Sequence, residues 1–301
     1  MLRRALPHRR RRMPVPGRGR YDPDARYRIA GGASHNLLFS PMTAQRQGWI
    51  SYEQPLSERV RTMLRLEFLF TRAHDALSRD DLWSSRTTVD CLIDIMSVLG
   101  RADLKKELIK ELERHALTLE SLARNPNVDP QRLQQVQSRV VDLLGQLKAL
   151  DIGFGHALRA NELFNAVRQR SSIPAGTCDF DLPAYHHWLQ RDPVLRRQEL
   201  EDWLAHFGLL REATELCLKL VRESGVGSEE VAAGGMFQRT LETNTPCQMI
   251  RVHLPDSTAG YPEISAGRHR FTVRFMQQPR AEERPTQVQD DVRFRLVCCV
   301  I

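Results

Sequence analysis

Arg270-Phe271-Thr272-Val273-Arg274-Phe275 alternates strictly: Phe271, Val273 and Phe275 fall on one side of an extended chain, Arg270, Thr272 and Arg274 on the other. A period of two with one apolar side marks a half-buried strand. Met249–Leu254 repeats the scheme, setting Ile250, Val252 and Leu254 against Arg251 and His253. Asp291–Ile301 does so again, with Val292, Phe294 and Leu296 against Arg293 and Arg295. Met236–Leu241 is a further short alternating segment, and turn formers such as Pro255-Asp256 and Gly260 separate these runs. Everything after Gly225 therefore reads as antiparallel sheet.

Upstream the period changes. Val60, Met63, Leu66, Phe70, Ala73 and Leu77 recur at three- and four-residue steps behind Ser57, a capping residue. A second helix is expected from about Thr87 to Leu99, stopped by Gly100. A third, from Asp103 to Asn125-Pro126, sets Leu104, Leu108, Leu112, Leu119 and Leu122 against Lys105, Lys106, Glu107, Lys110, Glu111 and Glu113. Asp129-Pro130 opens a fourth to about Leu150, and a fifth covers roughly 157–170. Residues 171–183 are too rich in turn formers for helix. Helices resume over about 183–190 and 193–224, with Gly208 a candidate divider of the last. Helices followed by strands give an α+β fold: an all-helical domain over 49–224, then an antiparallel β-domain over 225–301 whose apolar faces pack on helices.

Charge is unevenly spread. Residues 1–41 hold ten arginines and two acids, a net +8 in a chain of net +7, so the other 260 residues are close to neutral at −1. The high isoelectric point thus describes the first 41 residues, not the body. That stretch is read as a basic disordered leader, or as sequence upstream of a mis-assigned start, with Met42-Thr43-Ala44 as the true one. No apolar run approaches the ~20 residues of a membrane helix, and no apolar stretch follows the arginines as in a secretory signal.

The six cysteines form no Cys-x-x-Cys pair and match no zinc spacing with histidine. Cys91 and Cys217 sit in apolar helical patterns as buried thiols. Cys298 and Cys299, adjacent on a strand, should point to opposite faces rather than pair. A reducing, cytoplasmic compartment is expected. No Gly-rich phosphate loop, Gly-x-Ser-x-Gly or His-Glu-x-x-His occurs. His186-His187 point about 100° apart on one helix and make no metal pair. Ser171, Ser172, Cys178 and His186 could be drawn as a nucleophile set, but their spacing does not require it. No catalytic residue, metal or cofactor is expected.

The remaining chemical signal is the arginine side of the strands. Arginine's planar fork suits carboxylates and phosphates; a solvated face charged against edge aggregation would look the same. The phenylalanines belong to the buried set, leaving no rings for bases to stack on, so an acidic peptide fits better than RNA.

Several strings resemble the ZapD family of bacterial cell-division proteins. They are Tyr52-Glu53-Gln54-Pro55-Leu56-Ser57 continuing to Glu67; Arg101-Ala102-Asp103-Leu104-Lys105-Lys106 continuing to Arg114; Val167-Arg168-Gln169-Arg170 through Ser172-Ile173-Pro174 to Phe180-Asp181-Leu182-Pro183; Tyr261-Pro262-Glu263-Ile264-Ser265 with Arg270-Phe271 and Arg274-Phe275-Met276; and Cys298-Cys299. Order and spacing hold over about 49–299. Residues 1–41 have no counterpart in the family pattern, and Val300 and Ile301 extend past its terminal cysteines. The resemblance implies a homodimeric, non-enzymatic factor at the mid-cell division ring. It would bind the C-terminal tail of FtsZ, the tubulin-like division GTPase, and bundle its filaments to promote Z-ring assembly, with no nucleic acid or membrane involved. The family's basic tail-binding pocket falls on Arg101, at the start of the third helix, and on Arg270 and Arg274. The alternative from another class is a nucleic-acid binder that uses the arginine-rich leader.

Overall fold

The computed structural model describes residues 48–101, 103–124, 128–241, 247–267 and 269–300. All of them belong to one contact-clustered body, Phe39–Ile301. The stretch 1–41, and both readings of it, lie outside the described residues. The class is α+β, as expected.

The helices are α1 (Glu58–Leu77), α2 (Leu82–Leu99), α3 (Leu104–Leu122), α4 (Pro130–Ala149), α5 (His156–Arg159), α6 (Glu162–Arg170), α7 (Pro183–Leu189), α8 (Pro193–Ala205) and α9 (Gly208–Glu223). Side-chain caps decide where several of them begin. Ser57 Oγ accepts from Val60 N at 3.2 Å, at the start expected for α1. Asp81 Oδ1 accepts from Ser84 N at 2.9 Å, so α2 opens five residues before Thr87. Asn161 Oδ1 accepts from Phe164 N at 2.8 Å and starts α6, which splits the expected fifth helix and leaves α5 a single turn. Val60, Met63, Leu66, Phe70 and Ala73 of α1 are buried, and with α2, α3, α4 and α9 they form the main core.

On α3 the expected stripe needs two corrections. Leu122 is largely exposed, whereas Glu111, assigned to the charged side, is fully buried. Its carboxylate is held by Arg59 of α1 at 2.9 Å and by Arg114. These cations neutralise a charge that would otherwise not stay buried.

The strands are β1 (Trp49–Pro55), β2 (Gly227–Ala232), β3 (Met236–Thr240), β4 (Met249–Pro255), β5 (Tyr261–Ala266), β6 (Arg270–Gln277), β7 (Thr286–Gln287) and β8 (Val292–Cys299). They form two sheets, β1-β4-β8-β2 and β3-β6-β5, with β7 paired to the end of β6. Strand β1, at the head of the stretch read as helical, pairs antiparallel with β4. The first sheet therefore takes a strand from ahead of the helices. Gly234 and Gly235, at φ +55° and +74°, turn the chain from β2 in one sheet to β3 in the other. A Cβ on Gly235 would stand 2.2 Å from Val288 O, so the turn admits only glycine there.

The apolar strand faces do not pack on the helices as expected. They pack on one another: Ile250, Val252, Leu254, Val292, Phe294 and Leu296 of the first sheet meet Phe271, Val273 and Phe275 of the second in a separate core. The Phe275 and Phe294 rings lie 5.1 Å apart, and Phe237 meets Phe294 edge-on at 5.3 Å. The first sheet's outer face then turns to the helices. There Met249, Val297 and Cys299 join the helical core. Cys298 packs on the inter-sheet core instead, so the two adjacent cysteines do point apart.

A four-membered charge network crosses this junction. Arg222 of α9 makes paired hydrogen bonds to Glu53 of β1 (2.8 and 2.7 Å) and to Glu67 of α1 (2.7 and 2.7 Å), and Arg251 of β4 donates to Glu53 at 2.9 Å. Burial alone would raise the Glu53 pKa; the bonds and charge of Arg222, then of Arg251, outweigh it and hold the carboxyl below its ordinary value.

Candidate functional site: the outer face of the second sheet

The arginines expected on one face occupy two. Arg251 belongs to the helix-facing side of the first sheet, where it is largely covered and neutralised. Arg270 and Arg274 lie on the far side of the second sheet, open to solvent. The separation follows from topology: β4 and β8 belong to one sheet and β6 to the other.

Register fills in the rest of this outer face. Arg274 stands opposite Met236 of β3 on one flank and Glu263 of β5 on the other. Thr272 stands opposite Gln238 and Ser265, and Arg270 opposite Thr240. Tyr261 stands opposite Met276, so the face carries one aromatic side chain that the alternation of β6 alone did not reveal. Four residues of strand separate Arg270 from Arg274, a distance of ~13 Å along β6. Arg274 Nη2 lies 3.4 Å from Glu263 Oε2, both side chains being about half exposed. Arg270 has no carboxylate within ion-pair reach among the described residues.

Strand pairing brings Arg270 and Arg274 together; it does not bring Arg101 to them. Arg101 lies exposed in the turn between α2 and α3, its amide donating to Val98 O at 3.2 Å. The ion pairs of Arg59 with Glu107 and Glu111 set the start of α3 beside the start of α1, and α1 follows β1 closely in the chain. Arg101 is thus at the sheet-side end of the helices, and no hydrogen bond or ion pair joins its side chain to β6 among the described residues. Of the face's other members, Glu263, Tyr261 and Met236 were missed by the strand pattern. The signal for them was the alternation of Tyr261-Pro262-Glu263-Ile264-Ser265, which turns Pro262 and Ile264 inward.

The arrangement can hold an extended acidic chain. Two cations four residues apart on one side of a strand match carboxylates at the same spacing on a parallel or antiparallel peptide. Nothing in it resembles a nucleophile–base pair. Among the described residues no group of three or more His, Cys, Asp or Glu could hold a metal ion, and no helix is long and apolar enough to cross a membrane.

A family model described as "ZapD: Cell division protein" matches residues 64–274, a span that holds all three arginines. The chain belongs to the ZapD family. The cell division protein ZapD of Methylococcus capsulatus is 40% identical over 252 residues, covering 84% of this chain and 98% of the relative. That of Chromobacterium violaceum is 40% identical over 250 residues, covering 83% and 99%. That of Aromatoleum aromaticum is 38% identical over 250 residues, covering 83% and 97%. This is a family of cell-division factors, not one named for a catalysed reaction.

Proposed function

We propose that this chain is a non-enzymatic division factor that binds the acidic C-terminal tail of FtsZ and, as a homodimer, crosslinks FtsZ filaments to stabilise the Z-ring. It would work in the cytoplasm at mid-cell. The observation that carries the reading is the pair Arg270 and Arg274: solvent-facing, four residues apart, and neutralised only by the half-exposed Glu263. A basic pair of this kind in a division-protein family suits a peptide with several carboxylates. Arg101 supplies a further cation for the same tail from the helix turn.

Bundling then follows from valency. A short disordered tail makes few contacts and orders on binding, so one site binds weakly. A dimer carries two sites, and a filament displays many tails, so the second engagement takes place at high effective concentration. Sites facing apart join two filaments. Because the charge pairs are exposed, binding falls as salt rises and the Debye length shortens to ~8 Å.

Co-sedimentation of the protein with GTP-assembled FtsZ, with and without the FtsZ tail, tests this. Pelleting should require the tail, and Arg270→Glu or Arg274→Glu should abolish it while leaving the circular dichroism spectrum unchanged. Arg101→Glu should weaken pelleting without abolishing it. Tail-independent pelleting, or full pelleting by both sheet variants, would overturn the assignment.

A further inference from the structure

The rim between the two sheets holds a second cluster with its own chemistry. Cys298, near the end of β8, stands opposite Ile250 in the ladder with β4. Gln248 N donates to Cys299 O at 2.7 Å, so Cys247 lies one step beyond, at the same end of the pair. Both Cys247 and Cys298 pack against the inter-sheet core, and their thiols hydrogen-bond to each other. Arg239 of β3 reaches the same rim, where it hydrogen-bonds Cys298 and pairs with Glu230 of β2. Ser228 Oγ fixes that glutamate at 2.6 Å. Both thiols are half-buried, open to a small solute and closed to a large one.

The other four thiols are differently placed. Cys91, Cys217 and Cys299 are buried, and burial pushes Cys91 up to about 11 and Cys299 up to about 12. Cys178 donates to the Asp181 carboxylate at 3.3 Å, an anion where a thiolate would need a cation. Only Cys298 has its pKa lowered: the hydrogen bond with Cys247 does most, against burial, and Arg239 adds charge and a second bond. The same thiol–thiol bond, with burial, raises Cys247. One sulfur of the pair is poised as thiolate and its neighbour as thiol.

We propose that Cys247 and Cys298 form a peroxide-responsive dithiol, Cys298 attacking and Cys247 resolving. The Cys298 thiolate attacks one oxygen of hydrogen peroxide, the O–O bond breaks, and the sulfur becomes a sulfenic acid as hydroxide leaves. Cys247, giving up its proton, attacks that sulfur; an S–S bond forms, the S–O bond breaks, and the oxygen departs as water. The two thiols lose two electrons to one peroxide, which is reduced to two waters. The disulfide links the residue ahead of β4 to the end of β8 and takes from Arg239 its thiolate partner. The proposal stands on the rim cluster alone and is independent of the FtsZ reading.

The test treats the reduced full-length protein with hydrogen peroxide in slight excess, followed by alkylation and intact and peptide mass spectrometry. The expected product has lost two hydrogens per chain, with the tryptic peptide 240–251 joined to 296–301. Cys299→Ala should keep the linkage. Cys247→Ser should stop at a sulfenic acid on Cys298, trapped by dimedone. Cys298→Ser should leave Cys247 as thiol, and Arg239→Met should slow the reaction about tenfold by lowering the thiolate fraction. The rate of Cys298 alkylation should rise with a midpoint below ~8.5, the ordinary thiol value. Oxidation at Cys178, a linkage involving Cys299, a disulfide between chains, or no change under conditions that oxidise free cysteine would each overturn it.

Discussion

Glu263 is the most informative residue to change. Its Oε2 stands 3.4 Å from Arg274 Nη2, with the two side chains 46% and 52% exposed. An acidic peptide that uses Arg274 must displace this carboxylate or share the guanidinium with it. Pairs of such exposure are worth ~0.2–1 kcal/mol, because solvent screens them and two long side chains must be held in place. Glu263→Gln keeps the shape, the strand and its register with β6, and removes only the competing charge. Released to the ligand, that energy strengthens binding ~1.4- to 5-fold. The substitution also takes one negative charge off a face meant for an anion. Fluorescence anisotropy with a labelled FtsZ tail peptide reads the effect directly, at about 50 and 150 mM salt, where the gain should shrink as screening increases. Arg274→Glu is the opposing control: it sets two carboxylates across adjacent strands, which costs the fold under about 1 kcal/mol, and removes the ligand's cation. If Glu263→Gln binds no more tightly than the parent at either salt, Arg274 is not the residue that meets the tail.

Three further outcomes bear on the frame that carries this face. Arg222→Met leaves Glu53 and Glu67 facing each other with only Arg251 for support, and should cost ~3–5 kcal/mol in urea unfolding at neutral pH; because the Glu53 pKa is lowered in the folded protein, the parent's share of that stability is present above about 4.5 and lost as acid titrates the folded carboxyl, and the variant should lack that acid-side loss. His115 is pushed down to about 3 by burial, then by the charges of Arg114 and Arg59, with Glu111 at 3.4 Å already engaged by those two arginines; the unfolded chain takes the proton near 6.5 and the folded one does not, so stability falls below that pH, by ~2 kcal/mol at about pH 5, and His115→Gln should flatten this slope. Asn161→Ala removes the cap of α6 and should cost ~1 kcal/mol in the same unfolding assay, without affecting tail binding.

Local periodicity carried the helices because each helix satisfies its own backbone and shows its buried stripe within a few turns. It failed where the deciding partner lies far away in sequence. Glu111 looked like any solvated glutamate on α3; what makes it a core residue is Arg59, on another helix. Strand β1 hid behind Glu53-Gln54-Pro55, since Glu53 faces the helix junction and is satisfied there by Arg222 and Arg251 rather than by water. Strand β2 carries Glu229 and Glu230 on a sheet edge and buries only Ala232, so it has no apolar alternation to read. Pro262 within β5 likewise masks a strand, and an edge position is where a strand tolerates proline.

The candidate site shows the same division. Alternation within β6 places Arg270 and Arg274 on one side with no need of any other segment. It cannot say which surface covers the opposite side, because pairing order is a property of the whole chain. Three similar strands therefore looked like one arginine face, although β4 and β8 lie in one sheet and β6 in the other. The separation gives the two sets of arginines different fates. Arg251 turns toward the helices, where desolvation makes an unpaired charge costly, and it comes with Glu53 and the Arg222 network already in place. Arg270 and Arg274 remain in water, where an unpaired guanidinium costs little and can wait for a ligand. Incomplete neutralisation on an otherwise ordinary sheet surface, rather than the number of arginines, is what marks the second face as the place for an acidic partner.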